Sequence, residues 1–185
     1  MSSLHLMFDA AFPPGKPYPG AQAVAGYIGG NTPHIWTLDE WLRFQHLVQF
    51  PIWVGFNEAD PIGHANDAVA AMKRLGWSQN ARNKRAVILD FETEIDPGWV
   101  NQFAGTINDH GYETMPYGSE STIVSNPSRS GRWVALYDGQ MDIPNVTDAI
   151  GHQFRADVPW DGTQVDLSVI TDTMYSHGGV GPRHG

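Results

Sequence analysis

The sequence contains no cysteine. That removes disulfides, thiolate nucleophiles and thiolate metal sites, while leaving the compartment open, because exported proteins can also lack cysteine. Basic residues are scarce: 11 Lys and Arg stand against 20 Asp and Glu, for a formal net charge of −9. A basic face broad enough to track phosphates is therefore excluded, and no nucleic-acid partner is expected. No run of about 18 consecutive apolar residues occurs, so no membrane-spanning segment is expected. The opening stretch, Met-Ser-Ser-Leu-His-Leu-Met-Phe-Asp, lacks a basic leader ahead of a long apolar run, so no signal peptide is expected either.

Several chemistries fail for want of their motifs. There is no Gly-x-Ser-x-Gly elbow around Ser119, no phosphate-loop lysine and no Gly-x-Gly-x-x-Gly in the glycine-rich tail. Eight histidines are scattered singly, none in His-Glu-x-x-His spacing, so no zinc site and no cofactor is expected.

What the 185 residues do contain is 41% apolar and 11% aromatic side chains, enough for one continuous core. Residues 1–175 read as a single domain, and the Gly/His stretch 176–185 as a tail that frays. Eight apolar runs have strand length: residues 4–8, 23–28, 51–56, 86–91, 112–117, 133–137, 150–154 and 165–169. Several are apolar throughout rather than alternating, as in strands buried on both faces, and helix-like segments separate the first four or five. That pattern belongs to a parallel sheet.

The first helix opens at Thr37 with Glu40 in capping-box spacing and sets Leu38, Trp41, Leu42, Gln45 and Val48 along one face. A second runs from about residue 65 to 75. The third has Asp96 as N-cap, Pro97 at the first helical position, Trp99, Val100, Phe103 and Ile107 on its buried side, and Gly111 as terminator. Beyond Tyr117 the helical signal weakens under Pro127, Gly131, Gly139, Pro144, Pro159 and Gly162. The fold expected is an α/β TIM-like (β/α) barrel of eight strands with a reduced set of helices in its C-terminal half. A thinned outer ring fits a chain shorter than the roughly 250 residues usual for such barrels. An open doubly wound sheet is the alternative.

In a parallel barrel, functional side chains sit where strands end. Here three runs supply acids: Asp9 after the first, Asp90 and Glu92 at the end of the fourth, and Asp166 within the last. Asp90 and Glu92, two apart, would project from one face of a strand roughly 7 Å apart. Crowded carboxyls in a partly dry pocket cannot all ionise, which leaves a proton donor beside an ionised neighbour and suits glycosidic cleavage. Taken singly, each of these acids is equally at home as a cap or turn residue. Tyr27, Trp53, Tyr117, Trp133, Tyr137, Gln153 and Trp160 fall near the same rim. Tyr27, Tyr117, Tyr137 and Gln153 are the candidates for binding substrate, and Trp133 reads as core.

The order of features resembles glycoside hydrolase family 25 lysozymes and the related glycoside-hydrolase-like domains of actinobacteria and their phages. It is carried by Phe8-Asp9, Asp90-x-Glu92, Pro116-Tyr117-Gly118-Ser119, Trp133-Val134-Ala135, and Gln153 followed by Val165-Asp166-Leu167, and spans residues 4–170. Gly26-Tyr27 departs from the Arg-Tyr that many members of the glycoside-hydrolase-like group carry. The resemblance implies a cell-wall muramidase in which Glu92 is the general acid. Asp90 would stabilise an oxocarbenium-like transition state or orient an acetamido group, with Asp9 and Asp166 tuning and positioning them. It also implies a cell-wall polysaccharide partner and action at the wall, as a phage lysin released from the host cytoplasm through holins or as a virion-associated enzyme. Two other functions remain open: a non-catalytic carbohydrate-binding or phage structural barrel, and a phosphodiesterase using the four acids as Mg²⁺ ligands.

Overall fold

The computed structural model of the protein describes residues 3–57, 60–77, 85–91, 96–123 and 130–180. Eight strands close into a barrel: β1 (Leu4–Asp9), β2 (Ala23–Gly30), β3 (Val48–Gly55), β4 (Ala86–Phe91), β5 (Glu113–Ser119), β6 (Arg132–Ala135), β7 (Ala149–Trp160) and β8 (Thr163–Thr171). β1 through β7 run parallel, each to the next, and β2 pairs with β3 as well as with β1. β8 runs antiparallel to both β7 and β1 and closes the ring.

The reversal of β8 departs from an all-parallel reading, and its cause is local. Trp160 pairs with Thr163 across a two-residue turn, Asp161-Gly162, with φ of 45° and 84°. Positive φ at both central residues is what a type I′ hairpin requires, and Asp-Gly supplies it at little cost. A two-residue link leaves the chain no choice but to return antiparallel.

Side chains alternate strictly between two cores. Inside the barrel lie Met7, Ala25, Ile52, Ile88, Met115 and Trp133, among others. The outward set, including Phe8, Val24, Val87 and Leu89, packs under the helices α1 (Leu38–Leu42), α2 (Pro61–Arg74) and α3 (Pro97–Asp109). β4 is buried at every position because both of its faces are covered.

α3 begins and buries residues as the sequence implies, with the Asp96 side chain accepting from the N–H groups of Gly98 and Trp99. α2 starts at Pro61, four residues earlier than expected, capped by Asp60 in the same way. α1 is far shorter than its apolar face suggests. Its capping box forms, but the chain tightens into turns after Leu42, and Val48 opens β3 instead of finishing the helix. Gln49 then donates from Nε2 to the Trp41 carbonyl, satisfying a helix-end acceptor that a longer helix would have used.

Beyond β5 the described residues carry only α4 (Glu120–Ile123) and α5 (Asp172–His177) as helices. Over β6 to β8 the place of a helix is taken by the connection 136–148, gathered around buried His152, whose ring nitrogens each lie 2.7 Å from a carbonyl oxygen, of Leu136 and Asp142. α5 closes the barrel floor, where Tyr175 stacks on His5 at 4.1 Å. Residues 176–180, at the start of the Gly/His tail, complete α5 and add β9 (Gly179–Val180) antiparallel to the start of β3. Among the described residues no helix is long and apolar enough to cross a membrane.

Candidate active site

The inward alternation that builds the core also delivers the acids. Asp9 follows Met7 on β1 and Asp90 follows Ile88 on β4, so both point into the barrel one layer above its apolar filling. Because β8 runs the other way, Asp166 lies near the start of that strand, yet its register sets it directly opposite Asp9 at the same rim. Asp9 and Asp90 are each only 3% exposed. The three acids thus meet at one mouth. Glu92 lies outside the described residues.

Neutral polar groups tie this mouth together. Tyr117 neighbours Asp90 across β4 and β5, and its hydroxyl donates to Oε1 of buried Gln153. Gln153 in turn donates from Nε2 to Asp166 Oδ2 at 2.6 Å, and the Asp157 N–H donates to the other Asp166 oxygen at 2.8 Å. Beneath them Trp133 packs against Tyr117 with ring centres 4.1 Å apart and donates to Ser168.

Burial pushes the Asp9 carboxyl well above the usual carboxylate range, and the neighbouring Asp166 and Asp90 charges push it the same way. Asp166 is also raised by burial, against the two hydrogen bonds that favour its charged form. The Tyr117 hydroxyl is held well above its ordinary value by burial and then by the Asp9 and Asp90 charges. Asp9 Oδ2 is buried and has no hydrogen-bond partner. Among the described residues no group of three or more His, Asp or Glu side chains is placed to hold a metal ion.

The mouth opens into two lobes that share Tyr27 and Asp166. One, of about 320 Å³, is lined by Asp90, Tyr117, Ser119 and Tyr137. The other, of about 300 Å³, is lined by Asp9, Phe12, Asp157 and Gln164. Each lobe has an exposed aromatic wall, Tyr137 at 61% and Phe12 at 53% exposed.

Asp9, Asp90, Asp166, Tyr27, Tyr117 and Tyr137 all line the mouth, with Gln153 buried just beneath and bonded to two of them. The other rim aromatics lie elsewhere. Trp53 is buried outside the barrel, where it donates to His64 Nδ1, because β3 presents it on the outward face. Trp160 sits at the far end of the hairpin against Tyr18 and donates to the Lys16 carbonyl. Trp133 is core, as its sequence setting implies.

Phe12 and Asp157 are functional candidates that strand-end reasoning misses. Phe12 is held by Trp36, whose Nε1 donates to the carbonyls of Ala10 and Ala11 at 3.1 and 3.3 Å. Trp36 in turn needs Gly26, since a Cβ there would stand 2.6 Å from its ring. The Gly26-Tyr27 departure from Arg-Tyr thus has a packing reason.

No protein-family model matches the chain, and no curated protein sequence does. Solved structures do. The fold is similar to that of an uncharacterised Bacillus stearothermophilus protein, at 16% identity over 95% of this chain and 100% of that one, with a TM-score of 0.73. It is also similar to the catalytic domain of the endolysin ply40 from bacteriophage P40 of Listeria monocytogenes, at 15% identity over 94% and 96% of the two chains and a TM-score of 0.71. A family 25 glycosyl hydrolase from Bacillus anthracis aligns at 7% identity over 85% of this chain and 82% of its own, with a TM-score of 0.58. At these identities the likeness is one of fold.

Proposed function

We propose that the protein is a glycosidase that cleaves bacterial cell-wall glycan by carboxylate acid/base catalysis. The observation that carries this reading is the convergence of Asp9, Asp90 and Asp166 from three separate strands on one open, aromatic-walled mouth. Fold likeness to an endolysin catalytic domain and to a family 25 glycosyl hydrolase supports it.

Glycosidic cleavage needs a proton for the leaving oxygen and negative charge beside the developing oxocarbenium ion. Glu92, two residues beyond Asp90 in the sequence, takes the acid role. Asp90 supplies the charge or orients a substrate acetamido group. Asp9, whose carboxyl is raised above the usual range by burial, lines the second lobe and contacts substrate there. Asp166 is fixed by Gln153 and Asp157 as the positioning acid between the two lobes. A phage lysin or virion-borne enzyme acting at the wall is the setting this activity fits.

The test is incubation of the purified protein, Glu92→Gln and Asp90→Asn with peptidoglycan from several bacterial walls, following new reducing ends by mass spectrometry. Release by the parent, abolished in Glu92→Gln and strongly reduced in Asp90→Asn, is the expected result. Wall binding without release by any form would overturn the enzymatic reading and leave a glycan-binding barrel.

A further inference from the structure

The two lobes of the mouth differ in chemistry, and the difference bears on which substrates fit. The lobe between Phe12 and the β7–β8 hairpin is lined by three carboxyls, from Asp9, Asp157 and Asp166, alongside the neutral Thr163 and Gln164. No lysine or arginine is among the described residues lining either lobe. Lys16, on the same side of the molecule, lies 3.7 Å from Asp161 and over the Trp160 ring, and does not line the lobe.

Two further observations point to a ligand here. Asp9 lines the lobe while 97% buried, and its Oδ2 has no partner among protein atoms, although a buried carboxyl oxygen without one is costly. Phe12 stacks on His34 at 5.1 Å through one side of its ring and remains half exposed in the wall of the lobe. An aromatic face beside several carboxyls, with no base to neutralise them, is the environment that selects an organic cation.

We propose that this lobe recognises a primary ammonium group on the substrate, carried either by an N-deacetylated amino sugar or by the diamino acid of a wall stem peptide. The inference rests on the glycan reading above and narrows it to amine-bearing wall glycan. An ammonium has three N–H donors and no acceptor, so it can meet the Asp9 and Asp157 carboxyls that line the lobe together with a neutral oxygen of Gln164 or Thr163. It also relieves the crowding of acids that holds the Asp9 carboxyl above its ordinary range.

Two matched pairs of probes test this by calorimetry at low salt, in the full chain carrying Glu92→Gln so that nothing is consumed. One pair is N-acetylchitotetraose and its de-N-acetylated counterpart. The other is a disaccharide peptide with a free diamino-acid side-chain amine and the same compound with that amine acetylated. In at least one pair the free-amine member should bind about tenfold more tightly. The pair that shows the preference identifies the source of the amine. The preference should fall to within about twofold in Asp157→Asn and in Phe12→Ala, and persist in Asp109→Asn at the distant end of α3, where only the general negative field is reduced.

Equal binding of both members in both pairs would overturn the inference while leaving the glycosidase reading in place. So would a preference untouched by Asp157→Asn, or one lost equally in Asp109→Asn. No binding of any probe would overturn it together with the glycan reading.

Discussion

Asp9 and Asp166 stand directly opposite each other across the antiparallel ladder of β1 and β8, at the rim of the barrel. Residues paired in this way have Cβ atoms about 4.5–5.5 Å apart, a separation at which two like charges repel. The protein meets the repulsion by different means on the two sides. Asp166 receives an amide N–H from Gln153 and a backbone N–H from Asp157, whereas the Asp9 carboxyl is buried and raised above the usual carboxylate range.

That arrangement predicts a pH-dependent cost in stability. The folded-state pKa of Asp9 is raised, so the native chain keeps a proton that the unfolded chain releases. The resulting stabilisation is present below the ordinary carboxylate range and is lost as pH rises toward the folded value. Asp9→Asn removes the penalty, and should therefore stabilise the protein near neutral pH by about 1 kcal/mol, or ~2–4 °C in Tm for a chain of this size. Below pH 4 the gain should vanish. Thermal melts of both proteins from pH 3 to 8 decide the matter, and a gain independent of pH would contradict a raised Asp9 carboxyl.

The chain of hydrogen bonds from Tyr117 through Gln153 to Asp166 predicts a different kind of loss. Tyr117→Phe keeps the ring on Trp133 but strips the donor from Gln153 Oε1, freeing the amide that orients Asp166. With one buried hydrogen bond worth about 1 kcal/mol, stability should drop by that much. If Asp166 must be held in one orientation during turnover, kcat should fall about tenfold with KM changed less than about twofold. A rise in KM alone would make Tyr117 a binding group only.

How far the sequence discloses this site depends on the kind of signal each residue carries. β4 is legible because its run is apolar up to Asp90, one residue before its end, and α3 because Asp96-Pro97 marks its start. The matching Asp60-Pro61 at α2 carries the same information, and a reading led by apolar periodicity passes over it. Treating Pro159 and Gly162 only as breakers hides the Asp161-Gly162 hairpin, and with it the direction of β8. The acids at the strand ends survive that error, because a residue opposite Asp9 reaches the rim whichever way its strand runs. Phe12 and Asp157 do not. Their lobe exists only once the hairpin has turned back over the mouth, a relation between segments some 145 residues apart that no local pattern records.

Tyr137 offers a test of the aromatic walls that is nearly free of folding effects. At 61% exposure it contributes little to the core, and it borders the lobe that holds Asp90. Stacking of a sugar face on its ring should be worth about 1 kcal/mol. Tyr137→Ala is therefore expected to raise KM for soluble wall fragments about fivefold, with Tm within about 1 °C of the parent. A large fall in Tm would assign the ring to structure instead.

The hairpin turn carries the remaining prediction, because it sets both the direction and the register of β8. Side chains on a strand alternate faces, so a slip of one residue in the β7–β8 pairing would turn Asp166 out of the barrel and bring Val165 in. Gly162 holds φ at 84°, a conformation that costs a residue with a Cβ about 1–2 kcal/mol. Gly162→Val should lower stability by about that amount in chemical denaturation, while Asp161→Asn, which keeps an equally good type I′ pair, should leave it within about 0.5 kcal/mol. If register is what the turn protects, Gly162→Val should also lose activity out of proportion to the fraction unfolded, since any slipped population loses its Asp9–Asp166 pair. Activity that tracks the folded fraction would show that the ladder to β1 holds the register without help from the turn.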